Sequence, residues 1–191
     1  MKRYAPLLVA CLMAGLVAFP FIRNLTTGEQ GMPGAQIGGH FVLESAAGPL
    51  DTSTLDTDLM MIYFGYTYCP DVCPTELARM AQIYDGLEND KTRVSGLFVT
   101  VDPERDTIDA VTEYAEVFDP SFKGLVGDRT QIEEVMRKYQ VYAQKVGDDP
   151  ATYTVDHSSR IYLMDRDAKL MALFSMDIEI PKMIEKVKTF L

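Results

Sequence analysis

The stretch Leu59-Met60-Met61-Ile62-Tyr63-Phe64-Gly65-Tyr66-Thr67-Tyr68-Cys69-Pro70-Asp71-Val72-Cys73-Pro74 decides the fold. Its first seven residues, Leu59–Gly65, are continuously apolar, the pattern of a strand buried on both faces at the centre of a sheet. Beyond Pro74 the period changes. Leu77, Met80, Ala81, Tyr84 and Leu87 recur at helical spacing and form one core-facing stripe over Pro74–Leu87. A proline in a helix interior clashes with the carbonyl four residues back and costs about 3 kcal/mol. Pro74 is therefore placed at the first helical position, with Cys73 at the N-cap and Glu76 beside the positive helix end. Cys69 and Cys73 then lie where a central strand hands over to a helix, which is where open α/β sheets build sites. A helix N-terminus also favours thiolate over thiol. Two sulfurs so placed can close a small disulfide, exchange disulfides with a partner, or hold a soft metal.

Outward from this stretch the chain alternates strands and helices. His40–Glu44 reads as a short strand and Ala46-Ala47-Gly48-Pro49 as a turn. Val94–Val101, Gly124–Val126, Val141–Val146 and Ile161–Met164 read as strands, and Lys169–Phe174 completes a hairpin across Arg166-Asp167. Ile108–Phe118, Ile132–Tyr139 and Ile180–Phe190 read as helices. The expected class is α/β: a central mixed sheet flanked by helices, ending in an antiparallel hairpin and a helix, as in a thioredoxin-like fold.

The 191 residues are 47% hydrophobic and 24% charged, enough for one ordinary core. The net charge of −10 becomes −13 over residues 25–191 once Lys2, Arg3 and Arg23 are set aside. So acidic a body excludes nucleic-acid binding through phosphates. Lys2 and Arg3 precede an apolar run from Tyr4 to Ile22, which as a helix spans roughly 28 Å, close to the ~30 Å hydrocarbon core. Residues 1–24 are expected to be a single-pass anchor in a bacterial inner membrane, with the flanking cations placing the body in the periplasm. Two rivals to that reading are lipidation at Cys11, after Leu8-Val9-Ala10, and ordinary signal cleavage. Residues 25–39, rich in glycine, read as a flexible linker, and 40–191 as the folded domain.

His157, in Tyr153-Thr154-Val155-Asp156-His157-Ser158, is one of two histidines and precedes the Ile161–Met164 strand. His40, next to the linker, reads as an ordinary residue. Two thiolates and one imidazole make a soft donor set that suits Cu(I) and, with a further ligand, Cu(II); zinc also fits such donors. Asp156 is a candidate to orient the imidazole from behind rather than a ligand. Asp106 reads as the N-cap of the following helix, and Met60, Met61, Met80, Met136 and Met164 fall in core-facing patterns.

The segment Phe64–Leu77 closely resembles the core motif of the Sco/SenC copper proteins. Three further segments match in order: Val101-Asp102-Pro103-Glu104-Arg105-Asp106-Thr107, Tyr153–Ser158, and Ile161-Tyr162-Leu163-Met164-Asp165. The resemblance covers roughly residues 36–191. It implies a thioredoxin-like fold, copper ligands at Cys69, Cys73 and His157, and a role in assembling the dinuclear copper A centre of cytochrome c oxidase subunit II. The implied partners are that subunit, a periplasmic copper donor and a thiol reductant. The alternative is a thiol-disulfide reductase in which Cys69 and Cys73 form a redox-active disulfide and reduce the cysteines of the apo copper site. Two features separate the chain from thioredoxins: no proline occurs between Thr152 and Arg160, and three residues rather than two separate the cysteines. The peroxidatic motif of peroxiredoxins is missing. A structural disulfide is the remaining reading.

Overall fold

A computed structural model describes residues 37–191. The anchor expected over residues 1–24, Cys11 within it, and the linker up to residue 36 lie outside the described residues. Among the described residues no helix is long and apolar enough to cross a membrane.

The chain meets the domain at Gly38 and Gly39, whose N–H groups donate to the carbonyls of Lys138 and Ala168. Gly38 has φ +113°, and a Cβ there would stand 2.3 Å from the Ala168 carbonyl oxygen, so glycine is required. These two residues, assigned to the linker by composition, are thus bonded into the folded domain. An antiparallel hairpin follows, β1 (Val42–Ser45) with β2 (Gly48–Asp51). The turn expected over Ala46–Pro49 is confined to Ala46-Ala47, and Gly48-Pro49 already belong to β2.

The core is built on β3 (Leu59–Gly65) and β4 (Val94–Thr100), all of whose residues are buried. They pair in parallel, Tyr63 beside Phe98 and Gly65 beside Thr100. Helix α1 (Val72–Gly86) connects them, and α2 (Ile108–Glu116) connects β4 to the parallel β5 (Lys123–Leu125). Helix α3 (Arg129–Tyr139) starts with a capping box between Asp128 and Gln131. It leads to β6 (Ala143–Val146), which pairs with β7 (Thr154–His157) in a two-stranded ribbon. Strands β8 (Ile161–Asp165) and β9 (Leu170–Phe174) form the hairpin, and α4 (Ile180–Lys188) ends the fold. The five-stranded sheet has the order β5-β4-β3-β8-β9, mixed in direction as expected. Strand β7 went unread in the sequence: four residues alternating exposed and buried, paired outside the main sheet, carry too short a pattern.

The fold places the site through register. β8 is antiparallel to β3, and Tyr63 pairs with Ile161. The residues just before Ile161 must therefore lie beyond the carboxyl end of β3, beside the loop that follows Gly65. Residues 157–160 and 66–69, far apart in sequence, meet for that reason.

Candidate metal centre

Helix α1 starts two residues earlier than expected, with Asp71 rather than Cys73 at the N-cap. Asp71 provides no side-chain cap. The Cys73 N–H donates instead to the Cys69 sulfur at 3.4 Å, so a thiolate takes the capping role. Pro74 then stands at the third helical position, where a missing N–H still costs no intrahelical bond. Glu76 is not at the exposed helix end. It is wholly buried, 3.2 Å from the Arg79 guanidinium, whose Nη2 donates to the Ile178 carbonyl and ties α1 to the loop before α4.

The donor atoms of Cys69, Cys73 and His157 all lie within 4.8 Å of one another. Cys73 Sγ is 3.3 Å from His157 Nε2. His157 Nδ1 lies 3.0 Å from the Ser158 carbonyl. A carbonyl only accepts, so Nδ1 carries the hydrogen, which leaves Nε2 facing the sulfurs as the ligating nitrogen. Ring orientation was expected of Asp156, but the backbone of Ser158 supplies it. Asp156 is exposed, paired across the ribbon with Gln144, and no hydrogen bond joins it to the ring among the described residues. The reason is strand alternation: in β7 successive side chains leave on opposite faces, so Asp156 and His157 diverge. His40 meets Thr52 Oγ1 at 3.2 Å and takes no part in the site.

Cys69 is pulled down to about 3, first by the hydrogen bond from the Cys73 thiol, with help from the N–H groups of Asp71 and Cys73, against burial. Cys73 is pushed up, first by that same bond and then by burial. One proton is thus shared by the sulfur pair, on the Cys73 side. Cys69 is 9% exposed and Cys73 is sealed. Cys69 and His157 open on a depression of about 410 Å³ whose walls include Tyr66, Pro70, Val72 and Ser159.

Several residues that serve the site were not singled out in the sequence. The rings of Tyr63 and Tyr66 stand edge-on to the imidazole at 6.2 and 5.8 Å. Burial, then the Cys73 sulfur, push the Tyr63 phenol up, keeping it neutral. Asp106, expected as an N-cap, is buried and accepts from the Thr67 backbone N–H and hydroxyl and from the Thr100 hydroxyl; Thr107 caps α2 instead. The loop before Cys69 is thereby pinned. The methionines behave as packing: Met60, Met61, Met80 and Met164 are core residues, and Met136 packs against them.

The SCO1/SenC family model matches residues 29–191. An SCO2-like protein of Rickettsia conorii is 36% identical over 190 residues, covering 94% of this chain and 93% of its own. Among solved structures, Bradyrhizobium japonicum ScoI with copper bound is 38% identical with a TM-score of 0.74, covering 81% of this chain and 99% of its own. Arabidopsis thaliana ScoI with copper bound is 34% identical with a TM-score of 0.73, covering 80% and 99% respectively.

Proposed function

The chain belongs to the SCO1/SenC family, and from that premise we propose that Cys69, Cys73 and His157 bind one copper ion as cargo, as Cu(I) and as Cu(II). The protein delivers it to the dinuclear copper A site of cytochrome c oxidase subunit II, working from an N-terminal membrane anchor with its body in the periplasm. The observation that carries this reading is the convergence of two sulfurs and one imidazole nitrogen within 4.8 Å, with Cys69 held as thiolate and Nε2 free to donate. Copper-bound relatives of the same fold support it.

A second reading has its own support. The Cys69 thiolate beside a protonated Cys73 is also the arrangement of a thiol-disulfide reductase acting on the apo copper site. His157→Ala separates the two, because it removes the imidazole and leaves both thiols in place. In cells grown at limiting copper, copper delivery requires that this variant, at normal abundance, fail to support oxidase assembly. Near-normal oxidase activity would favour the reductase.

A further inference from the structure

We infer that Arg105 is a positioning residue for copper binding: it sets the place of His157 by clamping the ribbon that carries it to the turn after β4. The inference rests on His157 being a copper ligand, as proposed above.

His157 ends β7, and β6 and β7 pair only with each other, outside the five-stranded sheet. A lone two-stranded ribbon is marginal by itself and takes its position from what it packs on. Here that packing is incomplete. A cavity of about 140 Å³ is lined by Ala143, Lys145 and Val155 of the ribbon and the adjoining Tyr153, by Ile132 and Met136 of α3, and by the turn at Val101–Glu104. Tyr153 and Val155 anchor the ribbon to the core, and directed polar bonds fix its place there, among them one from the Val155 N–H to the Tyr66 hydroxyl at 3.2 Å. Arg105 makes another: its Nη1 donates to the Tyr153 carbonyl at 2.9 Å, four residues before His157. Its Nε is fixed by Asp102 Oδ2 at 2.6 Å, and the other Asp102 oxygen accepts from the Tyr153 hydroxyl at 2.6 Å. The guanidinium also lies 3.5 Å from the Tyr153 ring centroid and 4.8 Å from that of Tyr68, the residue before Cys69. One planar fork thus grips the His157 ribbon and rests on the cysteine loop. Only 12% of its side chain is exposed. Lysine keeps the charge beside Asp102 but cannot make both bonds from one plane.

A donor displaced by about 1 Å falls outside the roughly 0.5 Å tolerance of a functional constellation. Arg105→Lys should therefore weaken copper binding through His157 and not through the sulfurs. The test is a double-mutant cycle on the full chain with Cu(II) as probe, comparing wild type, Arg105→Lys, His157→Ala and the double variant. Affinity is read by chelator competition and the site by its thiolate charge-transfer band and electron paramagnetic resonance. Arg105→Lys is expected to lower Cu(II) affinity tenfold or more and to shift both spectra toward those of His157→Ala. Added to His157→Ala it should cost less than twofold. An equal loss in both backgrounds, or a wild-type spectrum in Arg105→Lys, overturns the inference. Should Arg105→Lys not be recovered folded, Arg105→Gln, which also removes the bidentate fork between Asp102 and the Tyr153 carbonyl, enters the same cycle with the same deciding outcomes. If His157→Ala itself leaves Cu(II) binding unchanged, the ligand assignment has failed rather than the clamp.

Discussion

Gly65→Ala adds one methyl group at the point where the central strand touches the sulfur pair. A Cβ at Gly65 would stand 2.8 Å from Cys73 Sγ and 3.0 Å from ring carbons of both Phe98 and Tyr63. Comfortable contact needs about 3.5–4.0 Å, so the sulfur must retreat by roughly 0.7–1.2 Å. The two rings cannot give way, because Tyr63 and Phe98 are wholly buried and stacked at 6.4 Å. Overpacking of this kind costs about 1–3 kcal/mol. Loss of glycine freedom in the unfolded chain returns about 0.4–1 kcal/mol. The net loss, about 1–2 kcal/mol, lowers the melting temperature by about 2–8 °C in a domain of this size. The effect on copper should be larger in proportion, since the displaced atom is a donor and the tolerance is roughly 0.5 Å. Copper affinity is expected to fall at least tenfold, measured by chelator competition on protein that still melts cooperatively. Wild-type affinity together with an unchanged charge-transfer band would refute the claim that Gly65 sets the position of Cys73.

Two further outcomes follow from the buried titratable groups. Cys69 lies near 3 in the fold against 9.0 ordinarily, so its thiolate contributes stability that is full above about pH 9 and is lost as the pH falls toward 3. Cys73 is shifted upward, so its contribution is present below about pH 9 and is lost at higher pH. The reduced, metal-free protein should therefore gain stability from the pair between about pH 4 and 8; urea midpoints should show that slope flattened in Cys69→Ser, and an unaltered slope would contradict the shared-proton arrangement. Glu76→Ala leaves the Arg79 guanidinium without its carboxylate in a site where its side chain is 17% exposed, at a cost of about 3 kcal/mol. Adding Arg79→Met should restore part of the lost melting temperature, and no loss in the single variant would show the pair to be unimportant.

The parts of the fold written in long, regular patterns were legible. Strand β3 is an unbroken apolar run and β4 a largely apolar one because both faces are covered, and α1 shows its stripe because only one face is. The failures are local and have causes. The start of α1 was misplaced because a sulfur, not an oxygen, takes the cap, and no residue pattern marks that substitution. Strand β2 was hidden by Gly48-Pro49, which reads as a turn, and β7 by its brevity. At the site, the two cysteines announce themselves, but His157 alone does not. What joins them is the pairing of Tyr63 with Ile161, a long-range register that only the assembled sheet supplies. Asp156 was singled out for being next to His157, whereas in a strand the adjacent residue is the one that points away. Asp106 reads as a helix cap and Arg105 has no legible role because their partners, Thr67 and Tyr153, are 39 and 48 residues distant.

The electrostatics of the sulfur pair weigh on the choice between the two proposed activities. A thiolate held near 3 is present at every physiological pH, which a metal ligand needs. The same shift works against reduction of a partner's disulfide, because nucleophilicity falls with pKa and the best attacking thiol has a pKa near the ambient pH. A thiolate of low pKa is a better leaving group than attacker, so Cys69 suits being released from a disulfide more than forming one. Cys73 is the better nucleophile when deprotonated, but it holds the shared proton and has no exposed surface, so an incoming disulfide cannot reach it. Each cysteine therefore lacks one of the two properties that turnover requires, while both have what ligation requires once copper displaces the shared proton. On the proposed copper-delivery reading, exchange with another thiol-rich site would begin at Cys69 and His157, which border the open depression, and would leave Cys73, fixed between Gly65 and the imidazole, as the last to let go.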